Sequence, residues 1–134
     1  MITSITNAHV KRIIQLNNKS RARREEHCFI AEGLKLFRET PEKLRKNVFV
    51  SETFLNEHRS DDTLKGISFE TVSDPVFERM SDTKTPQGIL TVAGMPEYTR
   101  EQLLGESGRA PLVMILEDLQ DPGNLGTILR TAEG

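Results

Sequence analysis

Along residues 1–94, short apolar runs alternate with helix-start signals, and that alternation restricts the chain to a sheet with helices packed on it. Asn7 is a good N-cap, and behind it Val10, Ile13 and Ile14 fall at helical spacing, predicting a helix from Asn7 to about Leu16. Phe29-Ile30-Ala31 suits a buried strand. Gly33 permits the turn into a helix bearing Leu34, Leu36 and Phe37, which Pro41 ends. Asn47-Val48-Phe49-Val50 repeats the strand, and Ser51 caps a short helix carrying Phe54 and Leu55. Ile67 to Val72 alternates as a half-buried strand does. Ser73-Asp74-Pro75 then starts a helix with Phe77 and Met80 facing inward, and Gln87 to Ala93 supplies a last strand. The result is an α/β domain of about four strands with interleaved helices.

Gly94, Pro96, Gly105 and Gly108 punctuate the polar stretch that follows, which reads as a linker over 95–110 with at most a short helix around Arg100 to Leu104. Pro111 to Leu116 is a continuous apolar run, the pattern of a parallel strand buried on both faces. A second domain is therefore expected to begin at 111. Residues 111–134 are too few to enclose a core, so the chain is expected to stop before that domain is built.

The formal net charge of -2 conceals a lopsided division. Residues 1–24 contain Lys11, Arg12, Lys19, Arg21, Arg23 and Arg24 and no acid, so an anionic partner would be drawn to the N-terminal end. Asn17 to Arg21 reads as a polar loop that displays several of these cations. With 36% hydrophobic and 28% charged residues the chain has the composition of a soluble globular protein. No basic region precedes an apolar stretch at the N-terminus. A signal peptide and a membrane partner are not expected, and a cytoplasmic location is. The single cysteine, Cys28, excludes an internal disulfide and lacks a ligand cluster. It reads as a small buried residue, and no metal site is expected. His9 and His27 have no evident partner acid and read as ordinary polar residues, as do the pairs Glu25-Glu26 and Asp61-Asp62. Glu32, beside Gly33, either supports a neighbouring loop or caps a helix dipole. Phe29 is assigned to the core, which leaves no aromatic platform among the cations and favours recognition of folded rather than single-stranded nucleic acid.

The segment from Leu116 to Ala132 is the most informative in the chain. Pro122-Gly123 suits a tight turn, with Gly123 free to take a positive φ, leading into a helix capped by Asn124. Gly126 and Arg130 share a helix face. Helical side chains lean towards the N-terminus, so Arg130 should reach back over the bare Gly126 to a turn whose amides favour an anion. Arginine there could grip a phosphate in bidentate fashion.

With Asp121-Pro122-Gly123-Asn124-Leu125-Gly126 and the following Arg130 standing together, the segment resembles motif one of the SpoU family of RNA ribose 2′-O-methyltransferases, members of the SPOUT class. The resemblance implies a parallel-sheet catalytic domain tied in a trefoil knot, of which 111–134 would be the first strand and helix. It also implies S-adenosylmethionine as methyl donor, a homodimeric full-length enzyme, and Asn124 and Arg130 as catalytic residues at the target 2′-hydroxyl. Arginine, with a pKa above about 12, is a poor base, so phosphate positioning and alkoxide stabilisation are the expected roles of Arg130.

Residues 1–94 resemble the family's substrate-binding domain on softer marks, Phe29-Ile30-Ala31-Glu32-Gly33 and Thr85-Pro86-Gln87-Gly88-Ile89. That implies a three-layer α/β/α fold with a mixed sheet, related to ribosomal proteins that bind kinked RNA. Lys11, Arg12, Lys19, Arg21, Arg23 and Arg24 would then contact phosphates of a structured rRNA or tRNA. The family's later motifs, which hold the methyl donor, would follow Gly134. This chain alone is therefore expected to bind no cofactor and to be inactive, and its dimerisation is in doubt. The alternative is a free-standing RNA-binding module with a vestigial catalytic motif. A nucleotide-phosphate site is disfavoured because the glycine spacing matches neither the dinucleotide fingerprint nor the Walker loop.

Overall fold

The computed structural model describes residues 1–105, 108 and 112–133, which divide into two compact units, Met1–Pro96 and Glu97–Gly134. The first unit contains, in order, α1 (Ala8–Asn18), α2 (Ser20–Glu26), β1 (Cys28–Glu32), α3 (Leu34–Glu39), a 3-10 turn at Glu42–Leu44 and β2 (Arg45–Ser51). They are followed by α4 (Glu52–Glu57), β3 (Glu70–Val72), α5 (Asp74–Met80) and β4 (Ile89–Gly94). The sheet is four-stranded and mixed, with order β1-β4-β2-β3. β4 is antiparallel to both β1 and β2, and β3 runs parallel to β2.

The last strand in sequence thus lies inside the sheet, buried at every position. Alternate residues of β4 and β2 serve two cores, as the pleat requires. Phe49, Leu90 and Val92 pack with Val10, Ile13 and Leu16 of α1 and with Val76, Phe77 and Met80 of α5. Val48, Val50 and Ile89 pack on the other face with Phe37 of α3, Phe54 of α4 and Leu64. The domain is therefore a three-layer α/β/α sandwich. Each fully buried large apolar side chain contributes roughly 1.5–3 kcal/mol, so both faces of β4 hold the domain together.

The helix starts form for the reasons their sequences give. The Asn7 side chain accepts a hydrogen bond from the amide of His9, Ser51 accepts from that of Phe54, and Pro75 lies in the first turn of α5. Elsewhere the structure departs from expectation. Asn17 to Arg21 is not a loop: α1 runs to Asn18 and α2 begins at Ser20, with Lys19 alone extended between them. Side chains supply what a loop would have, Asn18 Nδ2 donating to the Ile14 carbonyl at 2.9 Å and Arg23 to the carbonyls of Leu16 and Asn17. Phe29 is 37% exposed because β1 is an edge strand. β3 starts only at Glu70, and Ile2 adds to it as a parallel bridge. The Ile2 amide donates to the Thr71 carbonyl at 2.8 Å and the Ser73 amide to the Ile2 carbonyl at 2.9 Å. Beyond α4, Asp61 holds His58 Nδ1 at 2.5 Å and the Thr63 amide at 2.8 Å, and these bonds lower its carboxyl to about 2.

The second unit contains α6 (Arg100–Leu104) and α7 (Pro122–Glu133). α6 starts with a capping box between Thr99 and Gln102. The strand expected at 111–116 is not formed. Pro111 lies outside the described residues, and Leu112 to Leu116 are exposed without regular structure, Leu112 and Ile115 at 102% and 87%. A parallel strand depends on ladder partners at its edges and cover on both faces, and residues 112–133 provide no second strand. Residues 106, 107, 109 and 110 of the expected linker also lie outside the described residues. Among the described residues no helix is long and apolar enough to cross a membrane, and no group of three metal-ligating side chains occurs. Cys28 is buried, as its sequence context suggested.

One buried polar atom stands out. Thr91 Oγ1, in the middle of β4, has no hydrogen-bond partner among the described residues. A Thr91→Val substitution keeps the shape and removes the unsatisfied hydroxyl, so it should stabilise the fold by about 1 kcal/mol. Urea denaturation checks this, and a loss of stability would mean that the hydroxyl is satisfied in solution.

Candidate nucleic-acid interface

The six N-terminal cations do not behave as one set. Arg12 Nε donates to Glu26 Oε2 at 2.7 Å and its Nη1 to Asn47 Oδ1 at 3.2 Å, tying α1 to the end of α2 and to β2. Arg23 Nη1 bonds the Leu16 and Asn17 carbonyls at 2.6 and 2.8 Å, closing the C-terminus of α1. These two guanidiniums are structural. Arg21 pairs with Glu25 one turn on, at 2.6 Å on an exposed face. Lys11, Lys19 and Arg24 are exposed and make no ion pair or side-chain hydrogen bond among the described residues. Of the six, these three are therefore available to an anion, with Arg21 shared.

The opposite end of the sheet has the opposite sign. A cleft there is lined by Ser51, Phe54, Glu57, Glu78, Gln87 and Gly88, with Asp74 at its wall. The Asp74 carboxylate accepts from the Thr53 amide at 3.1 Å and from its hydroxyl at 2.8 Å, and these bonds lower its pKa. Such a cleft repels phosphate.

The two soft family marks meet beside this cleft. Gly33, at φ 97, leaves room for Gln87, whose Oε1 accepts from the Leu34 amide at 3.1 Å; a Cβ on Gly33 would lie 2.7 Å from that oxygen. Glu32 accepts from the hydroxyls of Ser81 and Thr83 at 2.5 and 2.8 Å, so it supports a loop rather than a helix dipole. His9, read as lacking an acid, bonds Glu70 at 2.8 Å across 61 residues of sequence.

In the second unit the arginine turn takes the geometry expected of one part and not of another. The Arg130 guanidinium folds back over Gly126, its Nη1 3.5 Å from where a Cβ would stand. Its Nη2 lies 3.5 Å from Thr127 Oγ1, and that hydroxyl donates to the Gly123 carbonyl at 3.0 Å. Asn124, however, is not the cap. Asp121 is, its carboxylate accepting from the amides of Gly123 and Asn124 at 3.2 Å each. Gly123 accordingly lies inside α7 rather than at a positive φ, and the left-handed residue before the helix is Asp118 at φ 49. An acid directly before proline is the sequence signal for such a cap. The amides expected to attract an anion are thus partly taken by Asp121. Asn124 is exposed, and residues 112–133 form no enclosed site for a nucleoside: all are exposed except the half-exposed Gly126 and Ile128.

An α/β/α sandwich with free cations on its first two helices, followed by a unit that carries an arginine over a bare glycine, makes a two-part α/β protein. Residues 7–91 match the model of the MRM3-like substrate-binding domain, and the chain belongs to that family. The 23S rRNA (guanosine(2553)-2'-O)-methyltransferase RlmP of Bacillus subtilis (strain 168) is 34% identical over 134 residues, 98% of this chain and 50% of that protein. Mitochondrial rRNA methyltransferase 3 of Homo sapiens is 42% identical over 78 residues, 54% of this chain and 18% of the relative. A crystal structure of an RNA 2'-O ribose methyltransferase superposes with a TM-score of 0.65 at 29% identity, over 98% of this chain and 51% of that one. The SpoU methyltransferase AviRb from Streptomyces viridochromogenes, solved with AdoMet, shares the fold at 16% identity and a TM-score of 0.57, over 94% of this chain and 49% of that one. The chain spans half or less of the length of the curated relatives it matches.

The division of the cations gives a direct expectation. Arg23→Met should destabilise the first unit by about 1.5–3 kcal/mol, the usual worth of charged hydrogen bonds to carbonyls, while Lys19→Met should stay within about 0.5 kcal/mol of wild type. Denaturant midpoints of the two variants distinguish them, and equal effects would refute the division.

Proposed function

We propose that this chain is the RNA-recognition part of an RNA ribose 2′-O-methyltransferase, joined through 95–110 to the opening segment of the catalytic domain at 111–134. The observation that carries the proposal is the Arg130 guanidinium seated over Gly126, in a chain 98% of which superposes on about half of an RNA 2'-O ribose methyltransferase. Structured RNA, rRNA first among the candidates, is the partner. Lys11, Lys19 and Arg24 contact its phosphates, and Arg21 does so when Glu25 releases it. Arg12 and Arg23 act on binding only through the fold.

On the ribose side, Arg130 has five N–H donors, of which one is turned to Thr127. The others suffice for a bidentate grip on the phosphate beside the reacting ribose and for stabilising the alkoxide that develops at the 2′-oxygen. Asn124, two residues before Gly126 at the exposed start of α7, serves as a second polar group towards the ribose. S-adenosylmethionine supplies the methyl group in this class. The chain's own part in the chemistry is to hold and polarise the ribose.

A second reading, a free-standing RNA-binding module, is favoured by one observation: both core clusters close within Met1–Pro96.

Methyl transfer to rRNA by the full-length polypeptide that carries this sequence tests both readings. Arg130→Lys, which keeps the charge and loses the fork, should lower kcat by about 100-fold or more. Lys19→Gln and Arg24→Gln should raise KM for RNA and leave kcat unchanged. An active Arg130→Lys enzyme would remove the assigned role, and absence of any transfer by wild type would favour the module.

A further inference from the structure

Within the first unit, the cations singled out in the sequence all lie in residues 1–24, yet the topology brings another to the same end of the sheet. β1 and β2 both start where β4 ends: Cys28 is in register with Gly94, and Arg45 with Ala93. Between Arg45 and Asn47 the register slips by one residue, since Asn47 pairs with Val92, so Lys46 is the extra residue of a bulge. Bulges release a residue from the ladder and re-aim its side chain.

The side chain of Lys46 is aimed across the sheet end. Its Cε would stand 3.2 Å from a Cβ on Gly94, so the glycine there leaves space for the lysine stem. Glu42 lines the same cleft as Lys46, and the two residues that flank this lysine in the chain are committed elsewhere. Arg45 lies 4.6 Å over the Phe37 ring and donates to the Thr40 carbonyl, and Asn47 accepts from Arg12, which is itself neutralised by Glu26. Lys46 is exposed and makes no ion pair or side-chain hydrogen bond among the described residues. The bonded chain Glu26–Arg12–Asn47 fixes the end of α2, with Arg24, to the start of β2, with Lys46.

We infer that Lys46 is a phosphate-contacting residue, and that the RNA surface runs from α2 across this end of the sheet rather than ending with the N-terminal helices. The inference rests on the proposal that this domain binds structured RNA. A bulge, a glycine that admits the stem and an unpaired ammonium together give a held cation, which loses less conformational freedom on binding a phosphate than a free lysine does.

The test is fluorescence anisotropy of a synthetic, internally bulged RNA hairpin with the intact chain over a range of salt concentrations. Lys46→Gln should weaken binding by about threefold to tenfold at low salt and make the slope of log affinity against log salt shallower by about 0.9. Lys46→Arg should retain both. Lys65→Gln, whose lysine pairs with Asp62 at 3.0 Å in a loop, should change neither. If wild type binds and Arg24→Gln lowers affinity and slope while Lys46→Gln alters neither, the inference is overturned and the RNA reading survives. If wild type does not bind the hairpin, the RNA reading fails and the inference with it.

Discussion

Everything in the first unit depends on β4 being inserted between β1 and β2. Those two strands are not bonded to each other, so before β4 arrives the chain has no sheet beyond the short β2–β3 pair. Its side chains then close both cores at once, Leu90 and Val92 against α1 and α5, Ile89 against α3 and α4. Flanking backbone bonds extend the lock. The Gly33 amide donates to the Ile89 carbonyl at 2.9 Å, the Ser51 amide to that of Gly88 at 2.8 Å, and the Met95 amide to that of His27 at 2.8 Å. A sheet completed by its last strand forms by long-range contacts and is correspondingly slow to nucleate.

Periodicity made the elements of this unit readable and their neighbours invisible. Asn7, Ser51 and Pro75 announce helix starts because capping is local chemistry, and the apolar runs at 29–31, 47–50 and 87–93 announce strands because both faces of the sheet are covered. The failures share a cause. The helix break at Lys19 looked like a loop because Arg23, six and seven residues from the carbonyls it satisfies, removes the need for one. The Pro111 to Leu116 pattern describes a strand that requires partners these residues do not provide. The Ile2 bridge and the bond from His9 to Glu70 join positions far apart in sequence, which no local pattern encodes.

The candidate site was readable where one helix turn decides it and unreadable where tertiary pairing does. Arg130 over Gly126 follows from i, i+4 geometry and the lean of helical side chains, and the structure has it. The cap at Asp121 was within reach of the same reasoning, since an acid before proline is a helix start; the tight-turn reading of Pro122-Gly123 drew the cap to Asn124 instead. The cationic N-terminus is different. Composition counts charges and cannot tell the guanidiniums spent on Glu26, Asn47 and main-chain carbonyls from those left to water. Nor could it find Lys46, whose position depends on a bulge and on a glycine 48 residues later in the chain.

Lys11, Lys19, Arg24 and Lys46 lie on α1, around α2 and at the start of β2, and Glu57, Asp74 and Glu78 line the cleft at the far end. The most direct check on this account is a 1H–15N NMR titration of the chain with a structured RNA hairpin. The account predicts amide perturbations concentrated at Lys11, Lys19, Arg24 and Lys46, with the signals of Glu57 and Glu78 unmoved. Perturbations centred on the acidic cleft, with α2 and the start of β2 silent, would contradict it.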